Sequence, residues 1–172
     1  MTTVVLSLGS NLGDRRAALA EAVAALGPGQ TSEVYETPPW GDDDQPTYYN
    51  LAMIASDPNR SVHDWLELAE ECQARAGRVR DPARRYGPRV IDVDIIVAFD
   101  DADKPIHCGS ETLTIPHPRA HLRAFVLVPW LSIAPDAALP GRGRVRDLLR
   151  DSGLAADARA LRRVGTLSSD AS

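Results

Sequence analysis

The segment Val90–Val97, VIDVDIIV, constrains the fold more than any other part of the chain. Apolar and acidic residues alternate along it at the two-residue period of a β-strand. Asp92 and Asp94 therefore share one face, roughly 6.6 Å apart along the strand, and Ile91, Val93, Ile95 and Val97 are expected on the other. Two carboxylates held that close on a half-buried strand repel each other unless a cation lies between them. Oxygen-only ligands favour Mg²⁺, which commonly arrives bound to polyphosphate. Arg78, Arg80, Arg84, Arg85 and Arg89 crowd the loop just before the strand, offering forked donors and positive charge to such a group. Taken alone, an arginine-rich loop is usually solvated surface, and a D-x-D on a strand is often an edge polar pair. Their direct junction through Gly87-Pro88-Arg89 points instead to nucleotide-dependent phosphoryl transfer.

Composition bounds the rest. A chain of 172 residues is long enough for one core that buries roughly 70% of its unfolded surface. Residues 1–165 are expected to form a single domain, with a loose Ser/Asp-rich tail at 166–172. The net charge of −5 argues against a general nucleic-acid binder, whose footprint would be basic. Cys72 and Cys108 make no C-x-x-C pair and no disulfide framework. The N-terminal MTTVVLSLGSN lacks the features of a signal peptide, and no window approaches the ~18 apolar residues of a membrane span. The expectation is a cytoplasmic monomer with small-molecule ligands.

Along the chain, Val4–Leu8 reads as a buried strand ended by Gly9-Ser10-Asn11. Asp14 is placed to cap a helix through Leu26, stopped by Gly27-Pro28-Gly29. Ser32–Glu36 suits a short strand, Thr37–Thr47 a proline-rich loop, and Tyr49–Ala55 another strand. Ser61 and Asp64 open a helix to about Ala76 with a capping box. After the strand to Phe99, a short strand at Thr112–Ile115, a partly helical Leu122–Leu131 and a short helix at Val145–Arg150 follow. This order predicts an α+β fold: a ferredoxin-like α/β sandwich, mainly antiparallel, with flanking helices. The polar alternation of Val90–Val97 suggests that the helices cover one face of the sheet.

Other constellations carry less. The phosphate-loop signature is absent, and Lys104 lies in no such context, so arginines must do the work that lysine and backbone amides do elsewhere. His117 and His121 are four apart, but Pro116 and Pro118 interrupt any shared helix. Trp40, Tyr48, Tyr49 and Asn50 flank a proline-stiffened loop. They suit either a clamp for a flat ring, with Asn50 on its amide edge, or a loop pinned by core aromatics.

Assembled in order, these motifs resemble the 6-hydroxymethyl-7,8-dihydropterin pyrophosphokinase family of folate biosynthesis. The matching pieces are LGSNLGD at Leu8–Asp14, Y-x-T-P-P-x-G at Tyr35–Gly41, QPTYYN at Gln45–Asn50, GRVR at Gly77–Arg80, GPRVIDVDII at Gly87–Ile96 and LTIPHPRAHLRAFVL at Leu113–Leu127. The resemblance implies transfer of the ATP β,γ-diphosphate to the hydroxymethyl oxygen of a reduced pterin, releasing AMP. It implies two Mg²⁺ ions at Asp92 and Asp94, and phosphate contacts from Arg78 and Arg89 on a closing loop. Thr37, Pro38, Trp40, Tyr48, Asn50 and Phe125 match the pterin pocket. Arg80, Tyr86, Arg89, Ile95, Thr114, His117 and Arg123 match the ATP side. Three departures stand out: Tyr86 replaces a tryptophan in a loop one residue longer, Glu70 and Gln73 reverse an adenosine-facing pair, and Thr112 replaces a basic residue. Two other readings use the same motifs, a D-x-D nucleotide-sugar transferase and an ATP-binding module without turnover.

Overall fold

A computed structural model of the chain describes residues 1–39, 41, 44–77 and 90–168. In chain order the elements are β1 (Thr2–Ser10), α1 (Arg15–Leu26), β2 (Gly29–Thr31), β3 (Tyr35–Thr37), β4 (Tyr48–Asp57), α2 (Val62–Arg75) and β5 (Asp92–Phe99). They continue with β6 (Cys108–Gly109), β7 (Thr114–Ile115), a 3₁₀ turn at Ala120–Leu122, α3 (Ala124–Ile133), β8 (Ala138–Leu139) and β9 (Gly143–Arg144). α4 (Val145–Leu148), α5 (Ser152–Arg159) and β10 (Arg162–Arg163) complete the chain.

Local chemistry sets the helix ends. The Asp14 carboxylate accepts from the Ala17 N–H at 3.0 Å, and Gly27 ends α1 at φ 94°, where a side chain would be strained. Ser61 Oγ accepts from the Asp64 N–H while an Asp64 carboxylate oxygen accepts from the Ser61 N–H, so both ends of the capping box close as the sequence predicts. Within α3, Pro129 has no N–H for the Phe125 carbonyl. The helix is kept by burial: Val126, Leu127 and Trp130 are almost fully enclosed.

The main sheet runs β10-β3-β4-β1-β5, with β2 also on β4, and every pairing is antiparallel. This is the predicted ferredoxin-like α+β arrangement, and it places β5 at one edge. One expectation is corrected. Helices cover both faces: Leu19, Leu26, Trp65 and Ala69 of α1 and α2 pack with Leu6, Leu8 and Leu51, while α3 and Leu154 of α5 pack with Val5, Ala52 and Ile96. The polar alternation of Asp92 and Asp94 marks one end of a strand and not a solvated face.

A second correction lies within β5. Leu6 pairs with Ile95 but Val5 pairs with Val97, so Ile96 is an extra residue in the ladder. Such a bulge flips the alternation beyond it. Ile91, Val93 and Ile95 face the first core as expected, but Val97 joins Ile96 on the second. Strand β1 also runs further than expected, through Gly9 and Ser10. The expected single strand at Ser32–Glu36 is two short ones, parted where Ser32 Oγ accepts from the Ala52 N–H at 2.9 Å.

The C-terminal elements tie back to the beginning of the chain. β10 pairs with β3, and the Arg16 guanidinium donates to the carbonyls of Val164 and Thr166. Leu167 packs against the first core. No described helix is long and apolar enough to cross a membrane.

Candidate active site

The site forms at the end of the sheet where β5 begins. Gly9 lies opposite Asp92 on one side and Asn50 on the other, and Tyr35 lies opposite Asn50. Opposed residues of antiparallel strands share a face, so Asp92, Gly9 and Asn50 form one row, with Asp94 and Ser7 in the next. Both rows face the side of the sheet covered by α3.

Gly9 has a steric reason to lack a side chain. A Cβ there would lie 2.5 Å from Asn50 Oδ1 and 3.4 Å from Cδ1 of Tyr48. Asn50 thus folds across the strand and donates from Nδ2 to Thr37 Oγ1 at 2.7 Å, with both residues buried. A glycine inside a strand pattern is the signal of such close approach, yet the sequence reading placed Gly9 in a turn.

The 3₁₀ turn and the start of α3 bring positive charge to the acids. Arg123, only 8% exposed, sets its guanidinium 3.9 Å from an Asp94 oxygen and over the Phe125 ring at 5.5 Å. The His117 N–H donates to the Ile96 carbonyl at 2.8 Å, which fixes the segment along the outer edge of β5. Burial, then the charges of Arg123 and Arg119, hold the His117 imidazole down at about 4, against a weaker pull from Asp92. Its Nδ1 accepts from the Arg119 N–H at 3.1 Å. The neutral ring therefore carries its proton on Nε2, as a donor.

The predicted residues divide as follows. Asp92, Asp94, His117 and Arg123 come together at the β5 end. Thr37, Tyr48 and Asn50 lie on the same face farther along the sheet, and Thr37, Pro38 and Phe125 line one cleft. The Ile95 side chain is buried in the first core, and Thr114 is exposed on β7. Trp40, Arg78, Arg80, Tyr86 and Arg89, with the expected closing loop, lie outside the described residues. Glu70 is exposed, whereas Gln73 turns inward and accepts from the Val93 N–H at 3.1 Å. It satisfies a donor that the edge strand would otherwise leave open. On the entry side, Asn11 Nδ2 donates to Gln45 Oε1 and the Pro46 carbonyl, anchoring the chain that leads into β4.

The donor set suits a hard cation. Among the described residues no three His, Cys, Asp or Glu side chains gather into a metal cage. Two carboxylates completed by phosphate oxygens and water are what Mg²⁺ takes. An antiparallel α+β sandwich with an acid pair, a buried guanidinium and a neutral imidazole at one end of its sheet defines an enzyme of the phosphoryl-transfer class.

Comparison with known proteins narrows the class. Residues 5–135 match the 7,8-dihydro-6-hydroxymethylpterin-pyrophosphokinase (HPPK) family. The chain is 44% identical over 156 residues to the 2-amino-4-hydroxy-6-hydroxymethyldihydropteridine pyrophosphokinase of Mycobacterium tuberculosis, covering 87% of this chain and 82% of the relative. It is 46% identical over 154 residues to the enzyme of that name from Mycobacterium leprae, covering 85% and 79%. The corresponding Methylorubrum extorquens protein is 44% identical, with 87% and 92% covered. Among solved structures, a Plasmodium falciparum HPPK-DHPS superposes with a TM-score of 0.65 at 14% identity, over 95% of this chain and 47% of that one. This likeness supports the fold. The chain belongs to the HPPK family.

Proposed function

We propose that the chain transfers the β,γ-diphosphate of ATP to the hydroxymethyl oxygen of 6-hydroxymethyl-7,8-dihydropterin, in folate biosynthesis, with two Mg²⁺ ions at Asp92 and Asp94. The carrying observation is the shared sheet face on which the acid pair, Arg123 and the Asn50–Thr37 pair are arranged from β5 to β3. The new bond joins the pterin oxygen to the β-phosphorus. The bond from that phosphorus to the oxygen bridging it to the α-phosphorus breaks, that oxygen leaves on AMP, and the β,γ-diphosphate stays on the pterin.

Each described residue has work in that step. Asn50, held by Thr37, presents its remaining amide groups to the amide edge of the ring, and Phe125 and Tyr48 offer flat apolar contact. Arg123 supplies a fixed positive charge beside the carboxylates, and His117 an Nε2–H donor to a phosphate oxygen. The hydroxyl proton passes to a carboxylate of the acid pair. Mg²⁺, when bound, draws charge off the diphosphate and orients it. By their match to the family's motifs, Arg78 and Arg89 are assigned to the phosphates, Arg80 and Tyr86 to ATP and Trp40 to the pterin. Every residue in this reading comes from one copy of the chain.

The test is direct. Incubation with ATP, Mg²⁺ and 6-hydroxymethyl-7,8-dihydropterin should yield AMP and the pterin diphosphate in equal amounts. Release of ADP, or of no nucleotide product, would overturn the reading.

A further inference from the structure

Tyr49 is one of the aromatics beside the proline-rich loop, yet its ring points away from the site. Asn50 and Ala52 face the side of the sheet covered by α3, and so does Tyr48, whose Cδ1 is 3.4 Å from where a Gly9 Cβ would lie. Strand alternation sends Tyr49 to the other side, where it packs against the first core. There the Arg15 guanidinium lies over its ring, 3.8 Å from the centroid. Arg15 Nη1 also donates to the carbonyl and to Oγ1 of Thr47, at 2.9 Å each. Arg16 stands 5.7 Å from the same ring and is itself held by the carbonyls of Val164 and Thr166.

Arg15 therefore holds the chain on either side of Tyr48, at Thr47 and at Tyr49, from the face of the sheet away from the site. With its two neighbours fixed, the direction of Tyr48 is fixed as well. The position calls for such a hold. The ladder from β4 to β3 ends at the Thr37–Tyr48 pair, and the ladder to β1 ends at Ser10–Tyr49. Thr47, just before the strand, is exposed. A strand end with few rungs opens more readily than its middle, and this one carries a ring of the pterin pocket two residues from Asn50.

We infer that Arg15 is a positioning residue for the pterin: by bridging Thr47 and Tyr49 it aims Tyr48, and steadies Asn50 beyond it, toward the ring. The inference rests on the pterin reading above and deepens it. It assigns part of the substrate affinity to a helix α1 side chain that acts through the opposite face of the sheet.

The test measures pterin and nucleotide separately. Wild type, Arg15→Ala, Arg15→Lys, Tyr49→Leu and the double variant of Arg15→Ala with Tyr49→Leu are titrated with 6-hydroxymethylpterin, in the presence of Mg²⁺ and a non-hydrolysable ATP analogue. Each is also titrated with the analogue alone. Arg15→Ala should weaken pterin binding about fivefold. The KM for the dihydropterin should rise by a like factor while kcat stays within about twofold. Arg15→Lys should resemble Arg15→Ala, because an ammonium keeps the charge but cannot cover the ring and reach both Thr47 oxygens at once. Tyr49→Leu keeps an apolar side chain on the first core and removes the ring. Adding Arg15→Ala to it should weaken pterin binding by less than about twofold more, since the two residues act as a pair. Affinity for the analogue alone should stay within about twofold of wild type throughout. An Arg15→Ala protein that binds the pterin like wild type would overturn this inference alone. So would equal losses of pterin and nucleotide affinity, or fully additive losses in the double variant. A wild-type protein that binds no pterin and releases no AMP would overturn the pterin reading and this inference with it.

Discussion

Asn50 occupies the space that a side chain on Gly9 would need: a Cβ at Gly9 would sit 2.5 Å from Asn50 Oδ1. The same Asn50 donates to Thr37 Oγ1 at 2.7 Å, so one missing methyl group on β1 lets β4 and β3 share a buried polar pair. Gly9→Ala should push Asn50 away from Thr37 and cost about 1–3 kcal/mol of pterin binding. Affinity for an ATP analogue should change little. Parallel titrations with the two ligands check this, and an equal loss of both would point to general damage to β1.

Asp92 and Asp94 are both expected to be necessary for turnover, and Asp94 also for stability. Replacing either with Ala should lower kcat roughly a hundredfold or more. Asp94→Ala also strips the buried Arg123 of a carboxylate 3.9 Å away, which should cost about 1–2 kcal/mol of folding free energy. Urea unfolding of Asp94→Ala beside wild type checks this, and equal unfolding midpoints would show that Arg123 does not depend on Asp94.

Gln73 acts on the backbone of β5. Its Oε1 accepts from the Val93 N–H, one residue from each acid. Gln73→Met keeps the side-chain length and removes the acceptor, so the N–H should be left buried at a cost of about 1–2 kcal/mol. Faster amide exchange at Val93 is the specific readout. Unchanged protection there would mean that another group takes the bond.

His117 should make the metal-free protein sensitive to acid. In the folded chain its imidazole is held at about 4, below the ordinary value of 6.5. Below pH 6.5 the unfolded chain takes up a proton that the folded chain refuses, so stability falls as pH drops from 6.5 toward 4. Above about pH 7 both states are neutral at this site and the effect vanishes. Discounted for partial exposure, the loss should be on the order of 2 kcal/mol. Unfolding free energies of wild type and His117→Gln across that range check it: the wild-type curve should be the steeper below pH 6.5. Parallel curves would assign the acid sensitivity elsewhere.

Much of the fold depends on interactions within a few residues, and those were legible directly. Asp14, Gly27 and the Ser61–Asp64 box act on their own helix ends, so the boundaries of α1 and α2 follow from the sequence. The two-residue period of Asp92 and Asp94 settles that both acids point the same way, whatever the strand packs against. The bulge at Ile96 was not legible, because it arises from the register between two strands 90 residues apart in the chain. Nor was the second helical layer, whose apolar residues have no distinctive period once α3 is buried on nearly every side.

By itself, then, the sequence determined the acid pair, the helix caps and the ordered motifs that carry the family resemblance. These rest on backbone periodicity, on local hydrogen bonds and on residue types at short spacing. Only the tertiary structure decided that Gly9 must yield space to Asn50, that Gln73 serves the edge of β5, and that Arg15 holds the chain entering β4. Each of those depends on which surfaces meet when distant segments pack, and no local pattern encodes such a meeting.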